Sequence, residues 1–330
     1  MKKVTSVYSY HFMYGMMLIA AILFISDGCS DNKKQTETLV KENSLVLPDT
    51  TNIPHTKTGD EVRYGRNLFT RTAHYLGPNG VVMKLCGNKM NCTNCHLDAG
   101  VRPYANGFLE TYLKYPQYRS REGMVLTIED RINNCFEYPM NGEKLPYDSR
   151  EMRAMIAYLR WLCEGKVASY KDDSLHLGKV NLIDRAASVE KGEKIYTTKC
   201  AKCHGNDGQG SFTPDGETYI YPPLWGAQSY ALRSSMNRNI IAAKFIKWGM
   251  PYMDKITPPQ LSDEEAFDVA AFINCDSLHF HPKKVLEKDC PDLAFKPIDF
   301  PIGPYIDSFS VRQHTYGPFK PIKAFYDARK

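Results

Sequence analysis

The sequence predicts a mainly α chain of two related domains in tandem, followed by an irregular C-terminal extension. Three observations carry that expectation. The pattern Cys-x-x-Cys-His occurs twice in the 330 residues, as Cys92-Thr93-Asn94-Cys95-His96 and as Cys200-Ala201-Lys202-Cys203-His204. A faint internal repeat precedes each copy, Tyr64-Gly65-Arg66-Asn67-Leu68-Phe69-Thr70 being echoed by Lys191-Gly192-Glu193-Lys194-Ile195-Tyr196-Thr197. Each half then closes on an amphipathic helix. In the first, Asp148 and Glu151 stand at capping-box spacing before Met152, Met155, Ile156, Leu159 and Leu162; in the second, Ser262 and Glu265 do so before Phe267, Val269, Ala270 and Ile273.

The repeated motif decides the chemistry. Paired cysteines at that spacing can add to the vinyl groups of a haem, and the histidine that follows is placed to bind the iron from one side. A redox Cys-x-x-Cys needs no adjacent histidine, and a zinc site needs further paired ligands. Two covalently bound haem c groups are therefore expected, on Cys92 and Cys95 with His96, and on Cys200 and Cys203 with His204. The domains are then of the cytochrome c type, whose terminal helices cross over a haem edge.

Covalent haem of this kind is attached outside the cytoplasm, and the N-terminus agrees. Lys2 and Lys3 precede an apolar run over 12–25, too short and too early for a membrane span, which reads as an export signal. Cys29 stands where a bacterial lipoprotein is cleaved and acylated, although Asp27 makes a poor box, so a lipid anchor is weighed ahead of a plain cleaved signal. The expected organisation is a signal peptide over 1–28 and a polar tether over 29–57. A first haem domain spans 58–165, a linker 166–185, a second haem domain 186–275 and the extension 276–330. Beyond the tether, roughly 270 residues suffice for two small domains. A net charge of +5, with both signs spread along the chain, gives no dense basic and aromatic stretch and so no nucleic-acid partner.

The second domain reads as an ordinary class I cytochrome c. Gly205, Gly208 and Gly210 give a loop able to pass close to a haem, and Tyr221-Pro222-Pro223-Leu224-Trp225-Gly226 is similar to the segment that packs beside the proximal histidine in that class. The sixth ligand should be a downstream methionine. Met250, followed by Pro251, fits best; Met253 and then Met236 are the other candidates. A thioether ligand raises the potential of this haem and suits it to electron exit.

The first domain has no Met-Pro but carries Arg131-Ile132-Asn133-Asn134-Cys135-Phe136-Glu137. Four other cysteines can pair among themselves, Cys86 with Cys163 and Cys275 with Cys290, which leaves Cys135 as a spare thiol. On iron, a thiolate would lower the haem potential, and Arg121 and Arg131 could hold it deprotonated while presenting positive charge to an anion. Each arginine taken alone reads equally well as a plain surface charge or haem propionate partner on the one hand and as an anion-binding group on the other.

These residues resemble a known family. The stretch from Leu126 through Glu137 with Met140-Asn141-Gly142, the run Cys95-His96-Leu97-Asp98-Ala99-Gly100, and Phe245-Ile246-Lys247 with Met250-Pro251 look like the dihaem thiosulfate dehydrogenases. So do Lys296-Pro297-Ile298-Asp299-Phe300-Pro301-Ile302-Gly303-Pro304-Tyr305 and His314-Thr315-Tyr316-Gly317-Pro318-Phe319. The resemblance implies a first domain akin to the haem subunit of the sulfur-oxidising Sox complex. It implies His96 and Cys135 on the active-site haem, His204 and Met250 on the other, and Arg121 and Arg131 as substrate-binding arginines. The implied reaction joins two thiosulfates into tetrathionate, some members running mainly in reverse, with a small electron-transfer protein as acceptor or donor. Four residues after the ligand cysteine the family carries a serine, where this chain has Pro139. The alternative reading is a dihaem cytochrome c that transfers electrons only, for which Pro139 is the main support.

Overall fold

The computed structural model describes residues 49–164, 175–253, 259–282 and 292–329, all within one compact unit that spans residues 48–330. The export segment, Cys29, most of the tether, residues 165–174 and Cys290 lie outside the described residues. Among those described, no helix is long and apolar enough to cross a membrane.

Helix α1 (Lys57–Thr70) starts where the Thr56 hydroxyl accepts from the Gly59 amide and Asp60 sits in the first turn. It turns at Arg71 into the short α2 (Thr72–Leu76). Within residues 49–56, expected to be tether, one side chain is anchored while the rest are exposed. Ile53 is buried, and Arg63 donates to the Ile53 and Pro54 carbonyls at 2.9 and 3.0 Å. An isolated isoleucine in a polar run gave no periodic signal, but α1 supplies a surface for it.

A hairpin of β1 (Gln117–Arg119) and β2 (Met124–Leu126), with Arg119 opposite Met124, leads into α3 (Ile128–Glu137). That helix opens on a capping box in which Asp130 N–H donates to the Thr127 hydroxyl and Thr127 N–H to the Asp130 carboxylate. The closing helix of the first domain is α4 (Arg150–Cys163). Its cap is Ser149, one residue later than expected, its hydroxyl accepting from Met152 N–H at 3.1 Å. Glu151 is not part of a box: it accepts from the Tyr64 hydroxyl at 2.8 Å and ties α4 to α1.

The second domain repeats this plan. Helix α5 (Val189–Ile195) runs through a π-helical turn into Ala201–His204. A hairpin of β3 (Ser211–Phe212) and β4 (Tyr219–Tyr221) follows. Then come α6 (Asn239–Gly249) and the closing α7 (Asp263–Ile273), whose Ser262–Glu265 capping box forms as expected.

The internal repeat is a packing device. Gly65 on α1 and Gly192 on α5 hold equivalent places in it, and each lies against the backbone of its own closing helix. A Cβ at Gly65 would stand 1.9 Å from the Ala154 carbonyl oxygen; one at Gly192 would stand 2.0 Å from that of Asp268. Only glycine lets these helices cross so closely.

The extension is less irregular than expected, for it holds α8 (Val311–Tyr316) and α9 (Phe319–Asp327), separated by Gly317 and Pro318. Phe319 and Ile322 are fully buried in the second domain's core, Phe319 at 5.9 Å from the Phe267 ring. Asp307 anchors it, accepting from the Tyr326 hydroxyl at 2.8 Å and lying 3.1 Å from His314 Nε2. Burial alone would raise the Asp307 carboxyl, but the bonds from Tyr326 and His314 hold it below the ordinary carboxylate range. A carboxylate held low adds stability at neutral pH that is lost as pH falls through its folded value. Asp307→Asn should therefore flatten the acid end of the stability profile, measured by thermal unfolding between pH 2 and 7, and cost about 1–3 kcal/mol at neutrality.

One disulfide expected from the sequence does not form. Cys86 and Cys163 are both free and buried. Cys86 lies beside the first haem motif, in the field of Cys92, whereas Cys163 ends α4 with its sulfur 3.8 Å from the Phe108 carbonyl oxygen. Burial as small apolar groups satisfies both. Cys275 is likewise a free thiol, with its sulfur 3.2 Å from the Ser277 hydroxyl; its expected partner Cys290 lies outside the described residues.

Candidate active site

Two adjoining cavities carry the motif residues. The first, about 360 Å³, is lined by Cys92, Cys95, His96, Arg131 and Cys135; the second, about 960 Å³, by Cys200, Cys203, His204 and Met250. Met90, Asn91, Cys95 and Met236 line both, so the two sites share a wall.

Both cavities fit haem by the chemistry of their donors. His96 Nδ1 is 2.6 Å from the Asn106 carbonyl oxygen and His204 Nδ1 2.9 Å from that of Pro222. A backbone acceptor on one ring nitrogen orients the other as a ligand, the usual support for a metal-bound imidazole. Burial pushes His96 down to about 4 and lowers His204, so both rings are neutral and able to ligate. Burial also pushes Cys92 and Cys95 up to about 12, surroundings suited to thioethers and not to the thiolates of a zinc site. Among the described residues no cluster of three or more His, Cys, Asp or Glu could hold a metal ion by itself. Close packing shapes both pockets. At Gly100 (φ +84°) a Cβ would strike the Phe108 ring, which lies against His96 at 4.2 Å between centroids; at Gly208 (φ +68°) it would strike Trp225.

The structure brings the sequence-predicted residues of the first site together. Cys135 and Arg131 lie one turn apart on α3, and Arg131 Nη1 is 2.8 Å from Cys135 Sγ. The sulfur raises the Arg131 guanidinium above its ordinary value, against burial, which lowers it. Arg121 lines the same cavity; its Nε lies 2.7 Å from Glu122 Oε1 and its guanidinium 4.8 Å above the Tyr138 ring. Pro139 also lines it, so no hydroxyl enters at that position.

In the second site Met250 caps α6 and faces the cavity, as does Met236. Met253 is 49% exposed, is not among the residues lining the cavity, and its carbonyl accepts from Arg102 at 2.8 Å. The Pro222 contact to His204 bears out the reading of the Tyr221–Gly226 segment.

Some cavity residues were not visible in the sequence. Leu175, His176 and Leu177, assigned there to a polar linker, wall the first cavity, and Ser234, Ser235 and Arg238 reach it from the second domain. Arg119 and Tyr115 also face it. A period of two in Gln117-Tyr118-Arg119 was a usable signal, since it places Gln117 and Arg119 on one face.

The geometry has known relatives. The model of the SoxA/TsdA cytochrome c domain matches residues 84–167 and that of cytochrome c residues 189–275. A thiosulfate dehydrogenase of Psychrobacter arcticus is 36% identical over 237 residues, 72% of this chain and 69% of that protein. The chain belongs to the thiosulfate dehydrogenase family. A second member, from Allochromatium vinosum, is 32% identical over 83% of this chain and 96% of its own length. A solved thiosulfate dehydrogenase (TsdBA) of Marichromatium purpuratum superposes with a TM-score of 0.61 at 31% identity over 70% of this chain, which spans about half (49%) of that one. As a thiosulfate dehydrogenase family member the chain is an oxidoreductase with two tandem cytochrome c domains, largely helical, and two covalently bound haem c.

Proposed function

We propose that this chain joins two thiosulfates into tetrathionate at the first cavity, with His96 and Cys135 as its haem ligands, and passes electrons out through the second, with His204 and Met250. The observation that carries the reading is Cys135 Sγ, 2.8 Å from Arg131, in the cavity that also holds Cys92, Cys95 and His96. Joining two thiosulfates through their outer sulfurs makes one S–S bond and releases two electrons; the haems supply acceptance of one electron each. The chain's own residues do the rest. Arg131 donates to Cys135 Sγ, the sulfur proposed to take a sulfur adduct, and Arg121 offers positive charge to the approaching dianion. The same groups serve the reverse reaction.

The test is optical. Thiosulfate added to the oxidised protein should reduce the haems, or tetrathionate added to the reduced protein should reoxidise them; silence in both directions sinks the reading and leaves an electron carrier. Met250→Gly should change the second haem's absorption spectrum and slow electron exit, while an unchanged spectrum transfers the ligand to Met236, the other methionine in that wall. A small electron-transfer protein is the proposed partner. Ile220, Tyr221 and Tyr252, exposed in the wall of the second cavity, give it an apolar surface to meet. The proposed location is the periplasm, with a lipid on Cys29. Cys29→Ser should release the protein from the membrane fraction; equal retention of both forms counts against the anchor.

A further inference from the structure

The first cavity holds more positive charge than the reading above uses, and only part of it is free. Four arginines line it. Arg131 is matched by Cys135 at 2.8 Å, Arg121 by Glu122 at 2.7 Å, and Arg238 by the buried Asp299 at 2.6 Å. Arg119 alone has neither a hydrogen bond nor an ion pair from its guanidinium among the described residues. Strand alternation aims it inward: Tyr118, its neighbour on β1, points away, is 49% exposed and bonds to Asp292, while Gln117 and Arg119 face the cavity. Tyr115, two residues before β1, also lines the cavity, and its hydroxyl has no partner among the described residues. Burial pushes the Tyr115 phenol up, with Arg131 and Arg119 pulling it back, so at neutral pH it is a proton donor within reach of both charges.

Two thiosulfates bring four negative charges, and tetrathionate carries a sulfonate at each end. One sulfonate can be met beside Cys135, by Arg131 and Arg121. For the other, Arg119 is the lining arginine left without a hydrogen bond or ion pair from its guanidinium among the described residues. We propose that Arg119, with the Tyr115 hydroxyl, forms the subsite for this second sulfonate, where it also supplies the hydroxyl donor that Pro139 removes. This rests on the thiosulfate–tetrathionate reading and deepens it, since it makes the site select a substrate with two separated anionic ends.

The experiment uses the full-length holoprotein, with thiosulfate and tetrathionate as probes, and compares wild type with Arg119→Gln, Arg119→Lys and Tyr115→Phe. Arg119→Gln should raise KM for both anions about tenfold, the scale of one lost charged hydrogen bond. Haem absorption and potentials should stay unchanged. Arg119→Lys should recover part of the loss by keeping the charge. Tyr115→Phe should raise KM by a smaller factor. Wild-type KM in Arg119→Gln overturns the subsite, as does a shifted haem potential with unchanged KM, which assigns Arg119 to a haem propionate. Should Arg119→Gln fail to assemble, Arg119→Lys decides: a raised KM with normal haem content supports the subsite, and wild-type KM overturns it. If the wild-type protein responds to neither anion, the functional reading itself has failed, an outcome distinct from all of these.

Discussion

Cys135→Ala is expected to abolish turnover with thiosulfate and tetrathionate, to less than about a thousandth of wild type, the scale on which loss of a covalent nucleophile is felt. Both haems should remain attached, because Cys92, Cys95, Cys200 and Cys203 are proposed to hold them and none is substituted. Two effects add. The sulfur that takes the adduct is gone, and Arg131, which α3 holds 2.8 Å from that sulfur, loses its hydrogen-bond acceptor. The variant cavity then has a second unmatched arginine. Tight, unproductive binding of thiosulfate is the expected by-product, visible as a spectral perturbation without reduction. The measurements are haem content by pyridine haemochrome and steady-state rates in both directions. Wild-type rates in this variant would remove Cys135 from the mechanism.

The second large effect falls on stability. Gly65→Ala and Gly192→Ala should each destabilise the protein by about 3 kcal/mol, the upper end of what overpacking costs. In both, the obstacle is a backbone carbonyl at 1.9–2.0 Å, which cannot rotate away as a side chain would. The helices must part instead, α1 from α4 or α5 from α7, and the buried faces of Leu68 and Phe272 separate with them. Gly216→Ala is the control. No atom lies within 4 Å of its added Cβ, so only the φ of +70° is strained and about 1 kcal/mol is lost. Denaturant unfolding of the holoprotein measures all three. Equal losses at Gly65, Gly192 and Gly216 would mean that the close crossings do not matter.

The resemblance between the two halves was faint in sequence because little besides this crossing is held in common. Tyr64-Gly65 and Lys191-Gly192 share only the glycine at their second position, yet that glycine meets a carbonyl of the closing helix in each domain. The closing helices themselves were legible from their spacing of apolar residues. The first was misread only at its cap: Asp148 and Ser149 are both good caps, and Glu151 is drawn away by Tyr64. Helix α3, with its Thr127–Asp130 box, was not read from the sequence.

What the sequence determined by itself is covalent and local. Cys-x-x-Cys-His is a complete attachment unit within five residues, so the two haem sites needed no knowledge of the fold. The candidate ligand Cys135 and its arginine, four residues apart, needed only a helix between them. The tertiary structure decided everything that depends on residues far apart in the chain. It left Cys86 and Cys163 unpaired, because each found a separate buried environment. It turned part of a polar linker into a wall of the first cavity, and folded Phe319 of the extension under the second domain. It also separated one free arginine from three matched ones. Arg119, Arg121, Arg131 and Arg238 look alike as letters; which of them already has a partner depends on where Glu122, Cys135 and Asp299 come to rest, and charge matching at a few ångströms is set only when the chain is folded.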